Sequence, residues 1–550
     1  MTKPSRPSAI AFGIVCAVAL ITLPGLSPVL AASLRRGPYL QVGTANSVTI
    51  RWSTDVATDA RVRFGLSAAS LTNTVNSATS ATSHTIRLTG LTPETRYFYS
   101  IGSSSQTLAG ATADFTFKTA PVAGAVRPTR VWVIGDSGEP GSNQQAVKNA
   151  FLNWTGSRGA DVWLMLGDNA YTSGTDSEYQ AAVFDAYPEV LRKVPLWPTR
   201  GNHETSTSTY YGIFTMPSAA EAGGVPSGTE AYYSFNHSNI HFICLDSEGS
   251  SRSKSGAMAN WLTSDLAAAS SAGLEWVIAY WHHPPYTKGS HDSDSEAQLQ
   301  EMRQNIVPIL ENAGVDLVLT GHSHSYERSY LLNGHYGSSS SLTSAMKVDP
   351  GNGSGSNPYG KPAGMTSHDG AVYAVAGSSA KTSGGSLDHP AMVVSMNRLG
   401  SMVIDIDGKN LTARFIDNAG TIRDNFSIIK DTSTGVFDPP PPPPPPPPPS
   451  PTPTPTADGT LALDVRPNPL PRSGAEIAYV LPVAGRVTLA VFGADGRRVV
   501  QLLDHEVEAG RHTLAWNGRG DSGQPLPAGV YYAALDCAGQ TRVKRIVMLQ

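Results

Sequence analysis

Val162-Trp163-Leu164-Met165-Leu166-Gly167-Asp168-Asn169-Ala170-Tyr171 is the stretch whose pattern decides the fold. Its five apolar residues in unbroken succession predict a short strand buried on both faces, as in a parallel sheet covered by helices. Gly167 permits a sharp turn and a close backbone approach, and an acid, an amide and a phenol follow. The pattern recurs on either side. Residues 131–134 lead into Gly135-Asp136-Ser137-Gly138, and Gly201-Asn202-His203-Glu204 comes next. Residues 276–281 lead into His282-His283-Pro284, and 317–320 into Gly321-His322-Ser323-His324. Helical spacing is expected over 143–154, 177–191 and 296–312. Strands alternating with helices predict an α/β layered sandwich, placed at residues 125–430. Ligands in open α/β sheets sit beyond the carboxyl ends of the strands. Five polar clusters that each follow a strand can therefore converge on one point.

Outside this core the composition shifts. Forty Lys and Arg against 44 Asp and Glu give a net charge of −4. That balance excludes a generally basic nucleic-acid binder, so no nucleic acid is expected as a partner. With 40% hydrophobic and 15% charged residues, the chain has enough apolar content for several cores. Three cysteines cannot build a disulfide framework. Lys3 and Arg6, an apolar run over 9–23, and the small residues before 32 match a secretory signal peptide, assigned to residues 1–32. The expected location is secreted, extracellular or at the cell surface, by a bacterial type of export.

Period-two alternation at 47–52, 60–64, 84–88 and 97–101 predicts a β-sandwich over residues 33–120. Gly90-Leu91-Thr92-Pro93-Glu94-Thr95-Arg96-Tyr97 has the layout of a tyrosine corner, and the module resembles fibronectin type III. Residues 439–449 are all proline, a semi-rigid spacer of about 34 Å as polyproline II within a linker at 436–458. Residues 459–550 return to a β pattern with turns at Asp495-Gly496 and Asn517-Gly518. The expected fold class is multidomain: a fibronectin III-like β-sandwich, an α/β layered sandwich and a C-terminal immunoglobulin-like β-sandwich.

The clusters gather two carboxylates, a carboxamide, a phenol and several imidazoles, which are oxygen and nitrogen donors for hard or borderline metals. No cysteine joins them, which argues against a structural zinc site or an iron–sulfur cluster. A lone Gly-Asn-His is more often a satisfied loop, but five such motifs in order point to a dinuclear site. Two ions sharing a carboxylate suit in-line displacement at phosphorus.

In this order the motifs resemble the metallophosphoesterase superfamily, and within it the purple acid phosphatases. The wider superfamily opens with Asp-x-His. Here Gly138 stands where that His would be, and Tyr171 lies three residues after Asp168. The opening Arg36-Gly37-Pro38-Tyr39-Leu40 fits the long form of the family. The resemblance implies a first metal, Fe(III), on Asp136, Asp168, Tyr171 and His324. It implies a second, divalent metal (Zn, Fe or Mn) on Asp168, Asn202, His282 and His322. His203 and His291 would be the catalytic residues, and with Asn202 they would face the substrate. Asp292 stands where the plant form has a further His. His283, Tyr286, Tyr326 and Glu327 are read as packing or cleft residues, and Glu204 as a holder of loops. The implied activity is an acid phosphatase that hydrolyses small phosphate monoesters by attack of a metal-held hydroxide. A phosphodiesterase or nucleotidase with the same metals remains open, with the Ser/Gly-rich loops at 334–366 helping to choose. So does a non-catalytic surface binding protein. Pro467-Asn468-Pro469, 487–492, 512–518 and 527–532 resemble the immunoglobulin-like domain of flagellar hook-capping proteins, which implies association with a cell surface or secretion machinery.

Overall fold

The computed structural model describes residues 1–2, 31–431, 461–466, 468, 475–521, 524 and 526–548. Nearly all of the expected signal peptide, the polyproline linker, and Pro467 and Pro469 lie outside the described residues. The chain is multidomain, with two compact units, Met1–Pro440 and Pro441–Gln550.

Two seven-stranded sheets face each other in the first unit. One runs Tyr359–Lys361, Ile422–Lys430, Asn410–Asp417, Gly400–Asp407, Thr129–Ile134, Val162–Met165, Leu196–Pro198. The other runs Tyr233–His237, Ile240–Cys244, Trp276–Tyr280, Leu317–Thr320, Val372–Ala376, Tyr326–Ser329, Met392–Met396. Leu164, Phe242, Ile278 and Leu319 belong to the core between them. Val277, Ala279 and Val318 point the other way, into a layer with Leu262 and Leu310 of the covering helices. Burial on both faces explains why these strands carry unbroken apolar runs rather than alternation. The strands before Asp136, Asp168 and Asn202 are mutually parallel, as are those before His282 and His322. Their carboxyl ends therefore open on one edge.

Two expected helices are not simple. Residues 176–191 break into Asp176–Tyr179, a wider turn at Gln180–Phe184, and Pro188–Leu191. Thr175 and Glu178 cap the first piece reciprocally, and Pro188 cannot continue a helix that precedes it. Ala297–Glu301 and Val307–Asn312 are joined by a wide turn at Met302–Ile306. Pro308 has no N–H to donate to the preceding turn there.

The N-terminal module, whose strands form one six-stranded sheet, packs into the same compact unit. The segments expected at 47–52 and 60–64 are one long strand, Val48–Gly65, whose register shifts after Ser53 and again after Thr58. Tyr97 Oη accepts the Thr92 N–H at 3.0 Å, which closes the tyrosine corner. Arg36 reaches Gln180 and Asp176 at 3.0 and 2.9 Å, and Tyr39 donates to the Ile213 carbonyl at 2.6 Å. These bonds fix the module against the segment that carries Tyr171.

In the second unit, Ala462–Arg466, Ala475–Leu481 and Gly510–Trp516 form a three-stranded sheet. Arg498–Val507, Gly485–Gly493, Gly529–Cys537 and Gln540–Met548 form a four-stranded one. Ile477, Leu489, Trp516 and Leu535 fill its core. Cys244 and Cys537 are buried free thiols.

Candidate metal centre

Five loops place their polar side chains together. Tyr171 Oη lies 3.3 Å from Asp136 Oδ1, 3.0 Å from Asp168 Oδ2 and 3.2 Å from His324 Nε2. Asn202 Oδ1 lies 2.9 Å from both His282 Nε2 and His322 Nδ1. Asp168 joins the two groups, because its other oxygen, Oδ1, is 3.4 Å from His282 Nε2. The seven residues assigned to metal by resemblance thus adjoin one another in two sets that meet at Asp168.

The backbone is strained where the donors sit. Asp136, Asp168 and His322 have φ of 52°, 50° and 65°, in the left-handed region that side chains with a β-carbon avoid. Gly138 has its own reason. A β-carbon there would lie 2.4 Å from the Ala170 nitrogen and 2.6 Å from the Asp168 carbonyl oxygen. The Gly138 N–H donates to that carbonyl at 3.0 Å, and Tyr171 N–H donates to the Gly138 carbonyl at 3.0 Å. The glycine lets the two loops touch, and the touch delivers the phenol.

Second partners fix the rings. His282 Nδ1 meets the Leu166 carbonyl at 2.9 Å, so it must be the protonated nitrogen and Nε2 keeps its lone pair. His322 Nε2 meets Glu296 at 3.1 Å, and His324 Nδ1 meets Ser383 Oγ at 2.7 Å. Glu204 is almost fully buried. Its two oxygens accept the N–H groups of Asp168, Asn169, Ala170 and Gly201 at 2.6–3.3 Å, and the Tyr179 hydroxyl at 3.2 Å. It ties the Asp168 loop to the Asn202 loop.

Electrostatics match a site built for cations. Burial pushes the Asp136 carboxyl up to about 8, against the His282 charge and with the help of Asp168. Burial and then Asp168 push Glu204 up to about 8. Burial opposes ionisation of Asp168, but His282, His203 and its hydrogen bonds hold its carboxyl below the usual range. Burial, Asp136 and Asp168 raise the Tyr171 phenol well above its ordinary value. Burial lowers both His322 and His324 to about 4, so their rings are neutral donors near pH 7. Burial keeps Asp136, Glu204 and Tyr171 protonated and His322 and His324 neutral, so that Asp168 is the donor that holds its charge. Bound cations would draw the protons off the acids and use the lone pairs of the neutral imidazoles, so the residues fit the group that the resemblance implies.

The two rim histidines adjoin different donors. His203 donates Nδ1–H to the Thr172 carbonyl at 2.9 Å and lies edge-on to Tyr171, with ring centroids 4.5 Å apart. His291 lies against the His322 ring at 3.7 Å and meets Glu296 at 2.9 Å through Nδ1. His283 is buried, with Nδ1 on Ser247 Oγ at 2.9 Å. Asp292 pairs with Lys288 at 2.5 Å. Tyr286, Tyr326 and Glu327 pack rather than line a cleft. Tyr286 bonds the His335 carbonyl, Tyr326 bonds Asp424 at 2.8 Å, and Glu327 accepts from Thr287 and Ser325 at 2.6 and 2.9 Å. Sequence reasoning missed Glu296, the carboxylate shared by His291 and His322. Burial works against it, yet hydrogen bonds from His322 and the charge of His291 hold it down at about 2. Its place at the head of the helical segment after His291 was the available signal.

Comparison with known proteins matches three separate parts of the chain to families. Residues 129–326 match the calcineurin-like phosphoesterase family, 36–119 the purple acid phosphatase N-terminal domain, and 475–539 the FlgD Ig-like domain. The chain is 30% identical over 277 residues to purple acid phosphatase 15 of Arabidopsis thaliana, covering 45% of this chain and 49% of that protein. Purple acid phosphatase 22 of the same plant is 28% identical over 259 residues, covering 44% and 53%. The chain thus spans about half the length of these curated relatives. A solved purple acid phosphatase from yellow lupin (Lupinus luteus) seeds shares the fold. It has a TM-score of 0.58 and 16% identity over 72% of this chain and 75% of that one. The resemblance to a purple acid phosphatase-like metallophosphoesterase with a FlgD Ig-like domain is borne out. The module called fibronectin III-like matches the purple acid phosphatase N-terminal domain.

Proposed function

We propose that the protein is a secreted acid phosphatase that hydrolyses small phosphate monoesters at a dinuclear metal centre. The observation that carries this reading is the meeting of two donor sets at Asp168. Asp136, Asp168, Tyr171 and His324 would hold Fe(III). Asp168, Asn202, His282 and His322 would hold a divalent Zn, Fe or Mn ion. When bound, the ions would polarise the phosphoryl oxygens and lower the pKa of water.

The chain's own residues do the rest. Thr172 holds His203 by Nδ1 and leaves Nε2, 4.0 Å from Asp168 Oδ2, as the proton site beside the cluster. Glu296 does the same for His291. These two nitrogens, beside different donors of the cluster, are placed to hold phosphate oxygens and to give a proton to the leaving alcohol. Glu204 keeps the Asp168 and Asn202 loops in register. Among the described residues, no helix is long and apolar enough to cross a membrane. The signal-like start and the FlgD Ig-like match support export or surface association.

The test is hydrolysis of p-nitrophenyl phosphate at mildly acidic pH by metal-loaded protein, with metal analysis on the same sample. The expected result is turnover by wild type and none by Asp168→Asn, which should also lose metal. A fully active, metal-loaded Asp168→Asn would sink the reading.

A further inference from the structure

The segment after the strand Val372–Ala376 bends over the cluster. Ser383 holds His324, and two residues earlier the Lys381 ammonium lies 3.9 Å from the centroid of the Tyr171 ring. The contact sets a cation beside the donor cluster without making it a donor. Lys381 also pairs with Glu139 at 3.4 Å, and the two side chains are 30% and 56% exposed. An ion pair this exposed is weak and exchanges readily with another anion. Lysine is a compact point charge with three rotatable donors, suited to a phosphate of variable orientation. His203 contacts the same tyrosine ring. A phosphate seated on the cluster therefore has His203 and Lys381 as neighbours around Tyr171.

We infer that Lys381 is a specificity-determining residue that favours phosphate esters carrying a second phosphate beside the one cleaved. The inference rests on the function proposed above. The second phosphate replaces Glu139 as the partner of Lys381, whereas a monophosphate fills the cluster and leaves that pair intact. The reaction is unchanged. Water adds to phosphorus, the bond from phosphorus to the alcohol oxygen breaks, and that oxygen takes a proton. Orthophosphate and the substrate with one phosphate fewer leave.

The experiment is calorimetric titration of the metal-loaded full chain with methylenediphosphonate and methylphosphonate, neither of which it can hydrolyse as an ester. The readout is the ratio of the two affinities, so that chelation common to all variants cancels. Lys381→Met should cut the preference for the diphosphonate about tenfold, the worth of one charge-assisted hydrogen bond. Lys381→Arg should keep most of it, and Glu139→Gln should keep or raise it. An unchanged ratio in Lys381→Met overturns the inference. So does a variant that loses metal and both ligands together, because Lys381 would then serve the cluster rather than select the substrate. Turnover of p-nitrophenyl phosphate is scored separately. A wild-type protein that binds with a Lys381-dependent ratio but hydrolyses no ester sinks the enzyme reading and keeps the subsite.

Discussion

The half of the cluster around Tyr171 is rich in acid, and the half around Asn202 is nearly neutral. Asp136, Asp168 and the phenol meet one imidazole on the first side. An amide oxygen meets two imidazoles on the second, with Asp168 shared. Three ionisable oxygens favour an ion of higher charge, and neutral nitrogen donors suit a divalent one. The same difference appears in the proton balance. Asp136 and Tyr171 cling to protons, whereas His322 is held neutral.

The largest effect should come from removing what the halves share. Asp168→Asn should lower kcat by about 10³-fold or more, since both ions and the charge between them are disturbed. Metal analysis should show both sites depleted. If only one ion is lost, Asp168 belongs to one half. Next in size is Tyr171→Phe, expected to cost about 10²-fold and to lose the ferric ion selectively. Asn202→Ala should instead weaken the divalent ion, and equal losses of both ions in each variant would erase the distinction. Glu204→Gln should cost about 10- to 100-fold, as partners of metal-holding loops commonly do, through looser binding of both ions.

The smallest effect is a pH dependence of the metal-free protein. Asp136 titrates near 8 when folded against 3.8 ordinarily, so the folded state holds the extra proton and stability falls as pH rises through 8. His322 and His324 titrate near 4 against 6.5, so their contribution rises between pH 4 and 6.5 and is flat above. Between pH 6.5 and 8 the acids act alone, and Asp136 should cost the metal-free protein about 1–2 kcal/mol over that window by thermal unfolding, with Glu204, also raised to about 8, adding to the loss. Asp136→Asn should lessen the slope and leave the part that Glu204 carries. A wild-type slope of the opposite sign would contradict the proton balance.

The acid-rich half was legible in sequence because its donors follow three apolar strands at fixed short offsets. Asn202, His282 and His322 were legible for the same reason. What sequence did not show are the groups that reach the cluster from segments without a motif. Glu296 arrives on a helical start, and Ser383 and Lys381 arrive on a loop after a strand that carries no ligand. Their positions depend on tertiary packing rather than on local spacing. The helix expected over 177–191 broke because a single proline outweighs a periodic apolar pattern. The merging of two expected strands into Val48–Gly65 was hidden because its irregular pairing between Ser53 and Ala60 interrupts the alternation.

The measurement that tests the central claim most directly is the visible absorption spectrum of the as-isolated protein, taken with metal analysis. Tyrosinate bound to ferric iron absorbs in the visible by charge transfer. The account predicts a purple protein with about two metal ions per chain, whose band disappears in Tyr171→Phe and persists in Asn202→Ala. A colourless protein that holds two divalent ions, or a band that survives Tyr171→Phe, would contradict the assignment of the acid-rich half to ferric iron.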